Sequence, residues 1–365
     1  MEQVTPLPWQ QTLWAQLVAW RKRLPHALLL HGPRGVGKRQ LLKAFAQLLL
    51  CETAVDDSPC GRCAGCHLWL ADNHPDLRWL TPAAQMPERD DAASADAAGD
   101  ESGELRSART SKTSHEIVID QVRKTGEFLS LTAHRGGRQV VLLIPAEALN
   151  GPAANALLKV LEEPPAGSVF LVISDELDAV LPTIRSRCIL LSAPVPTAAQ
   201  ALAWLQSRSV DHAATRLAEA GGAPVGIGDE SALDDRATLD SATRDVLFKL
   251  LGRGPALTGA EVASAVPKDI AVAPAIRLLQ RWGWDLLAER LAGRVRYYPQ
   301  HQRQFATVAR ALEPKRVVEW AAALAQMQAV SDHPLNGRLV IEGALLSYID
   351  ALRTAGTNPP MTAVR

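Results

Sequence analysis

Hydrophobic residues follow two different patterns in the two halves of the chain. In the first 195 residues, apolar runs of strand length bounded by turn residues occur three times, as HALLLHG (26–32), RQVVLLIPA (138–146) and SVFLVIS (168–174). The segment KRQLLKAFAQLLL (38–50) has apolar residues three and four positions apart, which is typical of an amphipathic helix. Strands that alternate with helices predict an α/β domain whose parallel sheet is covered on both faces.

From Pro196 onward the pattern is almost wholly helical. Helical spacing in 197–210 and 212–224 predicts a small helical unit, and the polar stretch 228–241 is expected to be the linker after it. Longer helical stretches predict an all-α C-terminal domain, at 274–298, 316–330 and 337–353. Two of these helices carry apolar sets, which are Ile276, Leu279, Leu286 and Leu287, and Leu339, Ile341, Leu345 and Leu346.

Residues 83–115 interrupt the first pattern. Met86 and Leu105 are their only large apolar side chains, and they include no Phe, Tyr, Trp, Val or Ile. A segment of this composition cannot bury enough apolar surface to offset the entropy lost on ordering. We therefore expect a disordered insertion that is tolerated as a surface loop, in preference to a docking tail.

The charge balance limits the kinds of partner that the chain is expected to bind by itself. Lysine plus arginine and aspartate plus glutamate both total 39, so the formal net charge is zero, whereas a chain that binds nucleic acid unaided is usually basic. Contact with DNA is therefore expected to be local or shared with partners. The N-terminal segment lacks the basic start and apolar run of a signal peptide, and no apolar run approaches the roughly 18 residues of a membrane helix, so we expect a soluble cytoplasmic protein.

Four of the five cysteines cluster at the spacing C-x8-C-x2-C-x2-C, as Cys51, Cys60, Cys63 and Cys66, and Gly61 and Gly65 are expected to supply tight turns between them. Four thiolates suit tetrahedral zinc, and a site filled by four protein ligands leaves no position for a catalytic water. The spacing therefore predicts structural zinc. Reduced structural cysteines, an iron–sulfur cluster and a redox pair are the alternatives. Cys188 lies far away in the sequence and is not expected to be a ligand.

The sequence HGPRGVGKRQLL contains a phosphate-loop pattern with one departure. G-x-x-x-x-G-K-[ST] fits from Gly32 to Lys38, but Arg39 stands where a hydroxyl would contact magnesium. The pattern lies between a predicted strand and a predicted helix, which is its proper context. Lys38 and the backbone of Gly35 and Gly37 could still hold phosphates. Whether the loop holds ATP, ADP or nothing stays open.

Hydrolysis needs acidic residues as well as a phosphate loop. After the strand VVLLI, an ATPase would present carboxylates for magnesium and water, and this chain has Pro145 and Ala146 there. Glu147 is near, but it lies beyond the proline. Without these oxygen ligands, we expect no catalytic turnover and at most weak binding of ATP or ADP.

Several motifs together resemble the bacterial clamp-loader subunits of the AAA+ superfamily. They are NALLKVLEEPP (155–165), SRC (186–188), the four cysteines and the phosphate loop, with a weaker similarity in HPLNGRLVIEGALL (333–346). The resemblance implies an AAA+ P-loop NTPase-type core at 1–195, with a zinc module at about 51–66. A helical lid and linker at 196–240 and an all-α oligomerisation collar at 241–365 would follow.

The resemblance also assigns roles to residues. It implies that Arg187 is an arginine finger that reaches a neighbouring subunit's ATP, with Arg185 close enough to be confused with it. A surface or ion-paired arginine is the alternative for Arg187. Ser174 matches a polar residue that senses the γ-phosphate in motor subunits, and in a non-hydrolysing subunit its alternative role is only to cap the end of a strand. The lid arginine of the family is absent, since Pro224 or Val225 stands there.

These departures favour a non-hydrolysing stator over a motor subunit. It would be no enzyme alone, but part of the DNA polymerase III holoenzyme. The implied partners are the gamma/tau motor and delta subunits, the sliding clamp indirectly, and primed DNA within the complex, with no membrane. An active gamma/tau-like ATPase is one alternative, supported by Lys38. A zinc-containing protein that binds DNA phosphates through the arginines of HRGGRQ (134–139) and the C-terminal domain is another.

Overall fold

The computed structural model describes residues 5–85, 115–135, 137–228, 239–310, 312–329 and 337–352. The chain divides into two compact units, Met1–Gln200 and Ala201–Arg365. Most of the predicted insertion, at 86–114, and most of the predicted linker, at 229–238, lie outside the described residues. The boundaries near residues 195 and 240 stay predictions.

The first unit is built on a five-stranded sheet whose paired strands are all parallel. In chain order the strands are β1 (Ala27–His31), β2 (Leu77–Leu80), β3 (Gln139–Leu143), β4 (Ser168–Ser174) and β5 (Ile189–Ser192). Their order across the sheet is β2-β3-β4-β1-β5, so β5 is an edge strand. The predicted parallel sheet is confirmed, although the apolar pattern does not reveal β2 and β5.

Helices cover both faces of this sheet. They are α1 (Gln11–Trp20), α2 (Lys38–Leu50), α3 (Ala64–Leu70), α4 (Ile119–Ser130), α5 (Gly151–Glu162) and α6 (Pro182–Arg185). Successive residues of a strand point to opposite faces. Accordingly Leu28 and Leu30 pack in one cluster with Phe45 of α2, whereas Leu29 packs in a second cluster with Leu157 of α5. The predicted helix at 38–50 is confirmed with the same bounds.

The second unit is all-helical among its described residues, as the sequence predicts. Its helices are α7 (Ala198–Ser207), which spans the border of the two units, α8 (Ala213–Glu219), α9 (Val225–Gly228), α10 (Ser241–Gly252), α11 (Gly259–Ala265), α12 (Val272–Ala292), α13 (Gln302–Ala309), α14 (Pro314–Ala329) and α15 (Gly337–Leu352). Trp282 and Tyr348 form the centre of its core, and Trp282 Nε1 donates to Tyr348 Oη at 3.2 Å. None of the described helices is long and apolar enough to cross a membrane.

Most of the apolar positions predicted for the C-terminal helices are core residues. Ile276, Leu279 and Leu286 of α12 and Ile341 and Leu345 of α15 are fully buried in one cluster, and Leu287 is half-buried against it. Two members of the α15 set differ, because Leu339 is 63% exposed and Leu346 is 46% exposed. Those two side chains are exposed to solvent, whereas the buried ones stabilise the unit itself.

Candidate functional site

A glycine-rich segment, residues 32–37, joins the end of β1 to the start of α2 and is called the glycine loop below. Gly35 and Gly37 have φ angles of 78° and 93°, which side chains disfavour. At Gly37 a Cβ atom would also lie 2.3 Å from Leu7 Cδ1. The loop therefore depends on glycine at these positions, and it leads directly into the N-terminus of α2.

The N-terminal segment of the chain packs against the outside of the glycine loop. Trp9 Nε1 donates a hydrogen bond to Val36 O at 2.9 Å, and Gln10 Nε2 donates one to Gly37 O at 2.9 Å. Trp9 and Gln10 are both buried. These contacts fix the conformation of the loop on the side where the N-terminal segment lies.

Lys38, the first residue of α2, is buried in spite of its charge. Its ammonium donates to the carbonyl oxygens of Gly32 and Pro33, at 2.5 and 2.7 Å. It also forms an ion pair with Asp175, with Lys38 Nζ 2.6 Å from Asp175 Oδ1. An ammonium has three donors, so all three are used within the chain.

The polar residues after β4 come next to the glycine loop through the pairing of strands. Ser174, the last residue of β4, is opposite His31 of β1. Its hydroxyl is buried and has no hydrogen-bond partner among the described residues. Asp175 follows it, and the backbone N–H of Asp175 donates to Glu147 Oε1 at 2.9 Å. The Asp175 carboxylate therefore lies beside Ser174 and Glu147, the two residues singled out there from the sequence.

The positions where an ATPase carries its magnesium ligands hold none in this chain. Arg39 is exposed and donates to Gln85 Oε1 at 3.4 Å. Pro145 and Ala146 follow β3 without a carboxylate, and Ala146 begins a short 3₁₀ turn that contains Glu147. Glu147 uses one oxygen on the backbone of the residue after β4, and its other oxygen is buried without a partner in the described part of the chain.

Arg187 lies between α6 and the edge strand β5. Its guanidinium forms an ion pair with Glu162, the last residue of α5, and donates to Thr183 O at 2.8 Å. The side chain of Arg187 is 32% exposed and that of Glu162 is 51% exposed. Glu162 of the segment LEEPP and Arg187 of the segment SRC are 25 residues apart in the sequence, and their ion pair brings the two segments together in space.

Arg185 is held separately from Arg187. Its Nη1 lies 3.3 Å from Asp178 Oδ1, and the Asp178 side chain is fully exposed. The two neighbouring arginines thus have different carboxylate partners, which makes each a control for the other. In the second unit, Pro224 precedes the short helix α9, which begins at Val225, so no arginine stands at the expected lid position.

The cysteine cluster forms as the spacing predicts. The sulfurs of Cys51, Cys60, Cys63 and Cys66 all lie within 4.8 Å of one another. The Cys51–Cys63 and Cys60–Cys66 sulfur pairs are each separated by 3.9 Å. Cys51 follows the end of α2, and Cys66 lies in the first turn of α3, so the cluster ties these two helices together.

Backbone amides approach the sulfurs as in a tight metal-binding turn. The N–H groups of Cys60, Cys63 and Cys66 donate to the sulfurs of Cys51, Cys60 and Cys63, each at 3.3 Å. Gly61 allows this turn with a φ of 70°. The turn expected at Gly65 is wrong, because Gly65 lies within α3.

Hydrogen bonds and burial shift the pKa values of two cysteines of the cluster in opposite directions. The Thr53 hydroxyl, 3.2 Å from Cys60 Sγ, stabilises the thiolate and contributes most to lowering the pKa of Cys60 to about 5. Burial raises the pKa of the Cys66 thiol. The thiolate is the form that binds metal, and the hydrogen bond from Thr53 favours that form at Cys60.

The arginines of HRGGRQ contact the chain itself. Arg135 pairs with Glu52, and Arg138 Nη2 donates to Arg21 O at 2.8 Å. Burial lowers the pKa of Arg138. Arg138, which is partly buried, holds the loop before β3, and this argues against a role for that side chain on DNA phosphates.

Sequence reasoning missed Asp175 and Glu162 as site residues. Asp175 follows directly on Ser174, so its place at the carboxyl end of a buried strand was a usable signal. Its contact with Lys38 could not be predicted, because that contact depends on which strand lies beside β1. Glu162 belongs to a segment that the sequence pattern singles out without giving that residue a role.

Comparisons with known proteins find a matching family and relatives among the subunits of DNA polymerase III. The family described as DNA polymerase III, delta subunit, matches residues 10–196, which is half of the chain. The chain is 42% identical over 223 residues to DNA polymerase III subunit delta' of Pseudomonas aeruginosa, covering 60% of this chain and 59% of that protein. It is 35% identical over 205 residues to the subunit of the same name from Escherichia coli K12, covering 56% and 53%. It thus spans little more than half the length of these relatives.

A solved structure is similar to this chain at lower identity. It is a gamma subunit-related protein of DNA polymerase III from Thermotoga maritima, 18% identical, with a TM-score of 0.44 over 93% of this chain and 99% of that one.

Proposed function

Because the chain belongs to the DNA polymerase III delta-subunit family, we propose that it is the delta-prime stator of a clamp loader. In this role it hydrolyses no ATP itself and supplies Arg187 to the ATP site of a neighbouring motor subunit. Its partners are the gamma/tau motor and delta subunits, which load the sliding clamp on primed DNA. Replication of the bacterial chromosome places this work in the cytoplasm.

The position of Arg187 is the observation that carries this proposal. The residue lies just before β5, whose outer residues Ile189 and Leu190 are 42% and 44% exposed. An edge with exposed apolar residues suits a neighbouring subunit. The pair with Glu162 is solvent-accessible, and such pairs contribute about 1 kcal/mol or less to stability. Arg187 can therefore exchange Glu162 for a phosphate oxygen at low cost.

The chain's own glycine loop supports the non-hydrolysing half of the proposal. Arg39, Pro145 and Ala146 offer no oxygen ligand from their side chains for magnesium. Lys38 already has three partners, and one of them is a carboxylate. A gamma/tau-like motor would need the opposite arrangement, with an available ammonium and acidic residues after β3.

The cysteine cluster fits a single zinc ion. Four sulfurs bound tetrahedrally at about 2.3 Å from one ion are about 3.8 Å apart, close to the 3.9 Å of two of its sulfur pairs. An iron–sulfur cluster spreads its ligands over several metal atoms and needs wider spacing. Bound zinc would fix residues 51–66 to α2 and α3 and take no part in the ATPase reaction.

The test is ATP hydrolysis by the reconstituted loader with clamp and primed DNA. Arg187→Ala in this chain is expected to leave assembly intact and to lower turnover about tenfold or more, because an arginine finger stabilises charge on the transferred phosphoryl group. Arg185→Ala is the matched control, two residues away and also ion-paired, and should have a smaller effect. Normal turnover by the assembled Arg187→Ala complex would reduce Arg187 to a structural residue.

A further inference from the structure

Lys38 is the residue on which phosphate binding by the glycine loop would depend. Its side chain is 3% exposed, and its three N–H groups point to Gly32 O, Pro33 O and Asp175 Oδ1. The two carbonyls belong to the loop and would remain in place with a phosphate bound. Only the third bond, to Asp175, is made to an anion from elsewhere in the chain.

We infer that the Asp175 carboxylate occupies the place of a nucleotide phosphate on Lys38, so that the chain closes its own glycine loop against nucleotides. A carboxylate oxygen and a phosphate oxygen are both anionic acceptors for an ammonium donor. Lys38 Nζ and Asp175 Oδ1 are 2.6 Å apart, which is the distance of a charge-assisted hydrogen bond. A phosphate must therefore displace Asp175 before it can reach Lys38.

The backbone keeps Asp175 in position for this contact. Its N–H donates to Glu147 Oε1, and the preceding residue, Ser174, is held in β4 beside His31 of β1. Glu147 thereby places a second carboxylate beside Asp175. An entering phosphate would thus meet two negative groups on its way to one cation, which opposes its binding.

The loop has little freedom to move away from Asp175. Trp9 and Gln10 hold the carbonyls of Val36 and Gly37, and the Leu7 side chain fills the space beside Gly37. Because the loop is fixed on that side, it cannot carry Lys38 away from Asp175. Exchange of the carboxylate for the phosphate is the step that remains.

If Asp175 had a different role, its removal would change the affinity for nucleotide in the opposite direction. If the carboxylate bound magnesium that accompanies ATP, its loss would weaken nucleotide binding. If it competes with phosphate, its loss strengthens binding, with or without magnesium. The sign of the effect distinguishes the two roles.

The experiment is calorimetric titration of the full chain with ADP and with pyrophosphate, each with and without magnesium. Asp175→Ala should tighten binding of both ligands about tenfold or more, the change expected from freeing one charge-assisted hydrogen bond. Asp178→Ala is the matched control, since Asp178 is exposed and pairs with Arg185. The double change Lys38→Ala, Asp175→Ala should abolish the gain.

Asp175→Asn provides a second variant, because it keeps an acceptor for Lys38 and removes only the charge. It should give a smaller gain of the same sign. Equal affinity of the unchanged chain and both variants, or weaker binding by the variants in magnesium, would overturn the inference. The inference is independent of Arg187, whose role is measured by the turnover of the complex.

Discussion

Lys38 and Arg187 are both paired with a carboxylate, but their surroundings differ. The Lys38 side chain is 3% exposed and also donates to two loop carbonyls. The Arg187 side chain also donates to a backbone carbonyl, that of Thr183, but it is 32% exposed and its partner Glu162 is half exposed. A buried charge that loses its partner is costly, and an exposed pair exchanges with little loss. The cation of the glycine loop is therefore held in a buried site and the cation near the sheet edge in a solvent-exposed one, which is the difference that the proposed role of Arg187 requires.

The cysteine cluster anchors the helix that carries Lys38, and its loss should have the largest effect. Helix α2 begins at Lys38 and ends beside Cys51, so the cluster holds the far end of the helix. Cys63→Ser should lower the unfolding temperature of the first unit by about 10 °C or more, since it removes a metal ligand. Thermal unfolding followed by circular dichroism measures this.

Cys188→Ser is the matched control, because Cys188 is the one cysteine outside the cluster. It should shift the unfolding temperature less than Cys63→Ser does. Elemental analysis of the unchanged chain should find about one zinc per chain. Iron in its place, or equal stability of the two variants, would refute the zinc site.

The different burial of Lys38 and Arg187 predicts a difference in stability between their variants. Lys38→Ala should lower the free energy of unfolding by about 2 kcal/mol, because it removes buried charge-assisted hydrogen bonds and leaves Asp175 without its cation. Arg187→Ala should lower it by about 0.5 kcal/mol or less, as is usual for exposed ion pairs. Urea unfolding of both variants tests the difference. Equal losses would mean that Arg187 is held as firmly by its own chain as Lys38 is.

The elements that have long apolar runs could be predicted from the sequence. Helix 38–50 and strands β1, β3 and β4 follow from their patterns, because each is buried along most of its length. Strands β2 and β5 could not be predicted in this way, because they have four residues each and some of those residues, such as Arg78 and Ile189, are exposed.

Only part of the candidate site could be predicted from the sequence, for a related reason. The cysteines are close in sequence, so their spacing alone predicts that they converge. Asp175 meets Lys38, and Glu147 meets Asp175, only because β4 lies between β1 and β3. Strand order is a property of the whole sheet, and local patterns do not contain it.

The proposed stator acts on a neighbour's nucleotide and not on its own. The most direct measurement is the rate of clamp loading on primed DNA by two reconstituted loaders, one with Lys38→Ala and one with Arg187→Ala in this chain. Once both are shown to assemble, Lys38→Ala should load at nearly the normal rate, and Arg187→Ala should be slower by about tenfold or more. The opposite order, with Lys38→Ala the slower complex, would mean that the chain's own glycine loop drives loading and that the stator role is wrong.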